Sequence, residues 1–315
     1  MKKLILAAAI AATTAGSASA ATIYEGKGLT YKLKGDFQIQ LRKDVGKDQN
    51  LNVDFDDLEL KNSVIYDLGN DMKAFGQLDF GYKNAANGKD KEKSSQLEEA
   101  YVGMQFGNVS VSVGQQNFAV DSFGVDEQLE DDLKEDRFDA TATDGNDVVR
   151  VDLNMENFTV ILSTELEADS EKSADGKGYD IFMSTSVAGV ELAAAYQTFN
   201  DKKTATSPDI DVWGVSAMYD AGFAEFGVDY SKSDDGSVEA SQYNVITIIP
   251  VAATTDLGLG LTKVEEDGKD DVSEWYVNVV YKFPTQKNVS VFAEIADTDE
   301  DDVKMGYLAG MRLKF

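Results

Sequence analysis

The 315-residue chain contains no cysteine and no histidine. Without thiols it can build neither a disulfide framework nor a thiolate metal site. Without imidazole it cannot build the nucleophilic triads that use histidine as base, nor a histidine-ligated metal centre. Only 3 prolines interrupt the chain, which suits long strands. Basic residues are scarce too: 29 Lys and Arg stand against 57 Asp and Glu, a formal charge of −28. Nucleic acid is therefore excluded as a partner, because phosphate binding demands a basic patch. After the first 20 residues there is no long apolar run, so no helix is expected to cross a bilayer.

The first segment has the marks of a leader. Met1-Lys2-Lys3 is a basic head, Leu4 to Ala12 is apolar, and Ala18-Ser19-Ala20 is a small-residue cleavage site. Residues 1–20 are expected to be a cleaved signal peptide, and residues 21–315 a single domain.

Turn signals then divide the chain into alternating short and long connections. Short ones fall at 67–71, 107–108, 156–157, 188–189, 220–222, 250–251 and 284–286. Longer polar ones fall near 43–50, 85–93, 117–146, 168–177, 201–209, 234–238, 265–271 and 298–302. This predicts sixteen strands with short turns on one rim and long loops on the other. Between the turns the pattern has a period of two, the signature of strands with one apolar and one wet face. Ile39 and Leu41 alternate with Gln38, Gln40 and Arg42; Val149, Val151 and Leu153 alternate with Arg150, Asp152 and Asn154. The end of the chain does the same: Tyr307, Ala309, Met311, Leu313 and Phe315 share one face, with Arg312 and Lys314 on the other. An antiparallel sandwich would also alternate, but it needs neither a terminal aromatic nor strictly alternating loop lengths. The fold class expected is all-β: a transmembrane antiparallel β-barrel of about sixteen strands. Parity slips once, between Val53/Phe55 and Leu58/Leu60; a bulge at Asp56-Asp57 would repair it.

Several stretches, in their order, carry a resemblance. They are Ala21-Thr22-Ile23-Tyr24, Leu58 to Asn62, Leu68 to Leu78, Ala100 to Met104, Phe106 to Ser110, Val113 to Gln116, Asn146 to Val151 and the closing Tyr307 to Phe315. Together they resemble the Gram-negative general porins, trimeric sixteen-stranded diffusion channels of the outer membrane. The resemblance implies a homotrimer among outer-membrane lipid and lipopolysaccharide, with the long third loop folded into the lumen.

That loop is the connection near 117–146. Its candidate constriction residues are Asp121, Asp126, Glu127, Glu130, Asp131 and Asp132. In the family such a loop faces a ladder of basic side chains. Here the nearest matches to the ladder are acidic: Asp36, Asp57 and Glu98 or Glu99. Strict alternation admits only one of the last two, and Glu99 is chosen because Ala100, Val102, Met104 and Phe106 then face lipid. The expected pore wall comprises Lys34, Asp36, Arg42, Asp57, Glu59, Glu99 and Arg150, with Lys32 and Lys61 as further lumen-facing bases. Carboxylates on both walls would concentrate cations, so a cation-selective pore for ions and small hydrophilic solutes is expected.

No cofactor is implied, although the acidic loops (Glu167 to Asp175, Asp234-Asp235-Gly236, Glu265 to Asp271, Asp297 to Asp302) offer oxygens suited to Ca²⁺ or Mg²⁺. A channel specific for a sugar or another nutrient is the alternative. It would call for an aromatic track, and Phe75, Tyr101 and Tyr276 are scattered. An enzyme is disfavoured by the missing histidine. A barrel that does not conduct is disfavoured by the strand count, since sixteen strands enclose a channel.

Overall fold

A computed structural model describes residues 20–82, 86, 96–125, 133–166, 176–200 and 207–315. The expected leader, apart from Ala20, lies outside these residues. So do 201–206 and parts of the connections near 85–93 and 168–177, including the acidic run 167–175.

The strands are β1 (Ala21–Gly26), β2 (Leu29–Lys43), β3 (Asn52–Gly69), β4 (Met72–Gly81), β5 (Gln96–Phe106), β6 (Val109–Asn117), β7 (Asp144–Met155), β8 (Phe158–Glu165), β9 (Lys177–Val187), β10 (Val190–Asn200), β11 (Ile210–Asp220), β12 (Glu225–Asp234), β13 (Glu239–Ala252), β14 (Thr255–Glu266), β15 (Val272–Phe283), β16 (Gln286–Thr298) and β17 (Gly306–Lys314). Each pairs antiparallel with the next, and β17 returns to β2, from Tyr307↔Lys43 to Lys314↔Asp36. The wall is a closed antiparallel barrel of sixteen staves. One stave is composite: β17 covers residues 36–43 of β2, and β1 covers residues 29–33 of the same strand.

The fifteen connections expected from turn signals therefore omit one. The chain turns at Lys27-Gly28, where both residues take left-handed φ of 53° and 78°. The turn expected at Pro250-Val251 also lies elsewhere. Strand β13 runs on to Ala252, and the irregularity that proline imposes is absorbed as a register shift between Pro250 and Ala252. The expected bulge is present. Phe55 pairs with Ile39 and Leu58 with Phe37, so Asp56 and Asp57 together face Gln38.

Outward positions are apolar and exposed, as lipid requires. Val102 is 67% exposed and Leu261 62%, and Leu41, Leu162 and Met311 follow the same face. Tyr196 and Trp213 are cross-strand partners, and Trp213, Tyr230 and Tyr243 stack with ring centroids 5.2 and 4.9 Å apart. Such rows of aromatics sit where headgroups meet hydrocarbon. Inward positions alternate with these and are polar: Asp36, Gln38, Gln40 and Arg42 are all buried inside the barrel.

Candidate functional site

The described residues of the connection between β6 and β7, 118–125 and 133–143, pack inside the barrel. The connection opens with a 3₁₀ turn, Ala119–Ser122. Its apolar side chains, Phe118, Phe123 and Phe138 among them, pack on Val148, Ile161, Phe182, Ala195 and Val212. These wall residues point inward, so from β7 to β11 the inner face carries apolar side chains of its own. Beneath the loop they are shielded from water, and burial is what makes them favourable there. A second cluster joins Val125 and Leu133 to Ile246, Tyr276 and Ala296.

Polar contacts fix the register of this docking. Wall side chains accept hydrogen bonds from loop amides: Ala119 N donates to Ser163 Oγ (2.9 Å) and Asp180 Oδ1 (3.0 Å), and Val125 N to Asp229 Oδ2 (3.1 Å). Lys134 N donates to Glu274 Oε2 and Arg137 N to Ser231 Oγ, both at 3.0 Å. Gln242 Nε2 donates in return to the carbonyls of Lys134 and Glu135, both at 2.9 Å. Arg150 clamps the loop's first residues, donating from Nη1 to the carbonyls of Asn117 (3.0 Å) and Phe118 (3.1 Å) while Nη2 holds Asp152.

Of the six expected constriction carboxylates, Asp121 is described. It accepts from Asn117 Nδ2 at 2.7 Å, and burial pushes its carboxyl above the usual range. Asp126, Glu127, Glu130, Asp131 and Asp132 lie outside the described residues. An acid not singled out from the sequence, Asp136, is buried in the loop. Burial pushes its carboxyl up to about 7, against the lowering effect of the Asp139 and Phe138 amides; Asp229 and Glu135 raise it further.

Across the lumen, Arg312, Lys314, Arg42 and Lys61 are held by acids. Arg312 Nη2 bridges Asp36 and Asp57, each at 2.6 Å, and Lys314 adds a contact to Asp36 at 3.2 Å. Arg42 pairs with Asp44 and Asp54. Lys34 faces Lys61 across β2 and β3, as Asp36 faces Glu59. Lys61 in turn contacts Asp79 (2.7 Å) and Glu99 (3.0 Å). Glu99 lines the lumen as expected, but the expectation that alternation then excludes Glu98 does not hold. A register shift lets Asp79 pair with Glu99 and Phe80 with Leu97, so Glu98 is an extra residue in β5 and both glutamates line the lumen. A carboxylate oxygen from each of Glu59, Asp79 and Glu98 lies within 4.8 Å of the others. Among the described residues this trio is on the wall, not in the loops. Asp235 in the connection after β12 instead accepts the Ser237 and Val238 amides, which hold its carboxyl below the usual range.

Asp79 and the acceptors Asp180, Asp229 and Glu274 are not among the residues expected from the sequence, and Arg312 is expected there only as facing inward. Period-two spacing was the signal for them: Gln77 and Asp79 alternate with Leu78 and Phe80, and Asp229, Ser231 and Ser233 with Val228 and Tyr230.

A polar lumen, a greasy exterior and a loop docked within are matched by known proteins. The family model for Gram-negative porins matches residues 7–303. Porin-like protein H of Photobacterium profundum is 26% identical over 341 residues, with all of both chains covered. The trimer form of the outer-membrane protein OmpT of Vibrio cholerae superposes with a TM-score of 0.78 at 16% identity, covering 92% of this chain and 100% of that one. An anion-selective porin of Comamonas acidovorans superposes at 0.76 and 12% identity, covering 91% and 100%. The chain belongs to the Gram-negative porin family, as an outer-membrane β-barrel channel.

Proposed function

We propose that this porin is a non-enzymatic, cation-selective homotrimer through which ions and small hydrophilic solutes diffuse passively. The observation that carries the selectivity is the imbalance of charge sealed within the barrel. Among the described buried residues of the wall, nine are carboxylates (Asp36, Asp56, Asp79, Asp152, Glu165, Asp180, Asp229, Glu274 and Glu294), against one guanidinium, Arg42, and the partly buried Lys61, Arg150, Arg312 and Lys314 are each paired with acids. Low-dielectric walls focus such a field and raise the local concentration of cations. The fold alone does not set the sign, since the Comamonas acidovorans porin of like architecture is anion-selective. Trimer assembly is supported by the trimeric form of the Vibrio cholerae relative.

Reversal potentials across a KCl gradient in planar bilayers test the selectivity. The expected result is a potassium permeability severalfold that of chloride, falling as salt rises and the Debye length shortens from about 10 Å at 0.1 M to about 3 Å at 1 M. A permeability ratio favouring chloride overturns it.

A further inference from the structure

We propose that Glu59, Asp79 and Glu98 form a binding site for one Ca²⁺ ion on the lumen wall beside the stem of the constriction loop. Three adjacent strands supply the three carboxylates. Glu98 reaches the others because it is the extra residue of the β5 bulge and because Gly81, the partner of Gln96 on β4, has no side chain. A Cβ at Gly81 would overlap the Glu98 carboxylate. Glycine thus leaves the cradle that this carboxylate fills. The oxygens lie no more than 4.8 Å from one another, close enough for one cation to touch all three, and a set of three carboxylates suits Ca²⁺, whereas Mg²⁺ keeps most of its water and is held by one or two.

The second observation is Asp79. Its side chain is only 3% exposed. Oδ2 meets Lys61, while Oδ1 is sealed from solvent with no hydrogen-bond donor. A buried anionic acceptor without a donor is costly, and a cation ligated there satisfies it. Lys61 does not fill that role, because its ammonium is shared between Asp79 Oδ2 and Glu99. The trio opens onto a cavity of about 460 Å³ whose lining includes Asn117 and Asp144 at the two ends of the loop, so an ion enters from the pore.

The site deepens the cation-selective reading but is tested apart from it. The purified full chain in detergent is titrated with CaCl₂ by calorimetry at 0.1 M NaCl. The expected result is one saturable site per chain, at least tenfold weaker in Asp79→Asn and in Glu98→Gln. Lys61→Met, which removes the competing ammonium, tightens it severalfold. MgCl₂ binds at least tenfold more weakly. The wild type also melts higher in CaCl₂ than in EDTA, and Glu98→Gln does not. Absence of a saturable site, or a titration unchanged in Glu98→Gln, overturns the proposal; Mg²⁺ binding as tight as Ca²⁺ overturns the choice of ion. Reversal potentials in KCl with EDTA present report selectivity without the ion, so the two readings fail separately.

Discussion

Asp136 couples the constriction loop to pH. Its carboxyl is buried between the loop and β12, and burial raises it to about 7, from about 3.9 in an unfolded chain. The folded protein therefore binds the proton more tightly than the unfolded one. Its contribution to stability is complete below pH 4 and is lost as pH climbs through 7. Asp139, raised to about 8 by burial and by Asp136, titrates with it, so we expect the melting temperature to fall over that interval and Asp136→Asn to reduce the fall; melting curves at pH 4.5, 6 and 8 check it. The residue itself was hard to pick from sequence. It stands among Glu135, Arg137 and Asp139, and nothing in an irregular loop says which acid will be buried. Strand residues were easier, since Asp36 and Arg42 declare their face by alternating with Phe37, Ile39 and Leu41.

Period two fails where a strand gains a residue or where both of its faces are dry. The Asp56-Asp57 bulge was legible because apolar residues changed parity around it. The Glu98 bulge left the same trace between Leu97 and Ala100, but it was hidden by two glutamates that suit either assignment. From β7 to β11 the inward apolar residues, such as Val148 and Ile161, could not be told from lipid-facing ones, because their partner is the loop that lies over them. That packing holds the constriction in place. Phe138 is fully buried and meets Phe123 edge-on with centroids 5.0 Å apart. Phe138→Ala is expected to weaken docking by about 3–5 kcal/mol and to free the loop from the wall. Single-channel recordings should then show a larger and noisier conductance at an unchanged strand content by circular dichroism.

Closure of the whole barrel rests on one seam. Gly35 and Phe315 exchange backbone hydrogen bonds of 2.8 and 3.0 Å, and the Phe315 ring covers Gly35 and meets Phe37 edge-on at 5.6 Å. A Cβ at position 35 would overlap that ring. Gly35→Val is therefore expected to cost about 1–3 kcal/mol through overpacking. The loss would be read as a lower yield of the heat-modifiable folded band on electrophoresis, restored in part by Phe315→Leu. The terminal alternation revealed the last strand and its outward aromatic. It could not reveal that β1 and β17 share a stave, because that depends on which strand each finds. The partners in this seam stand at opposite ends of the polypeptide. Until the last ten residues arrive, the edge of β2 from Asp36 to Lys43 has bare amides and carbonyls, an invitation to pair with any other chain. Contacts so distant in sequence also form slowly. A polypeptide halted before that point on its way to the membrane would depend on chaperones to keep it from aggregating.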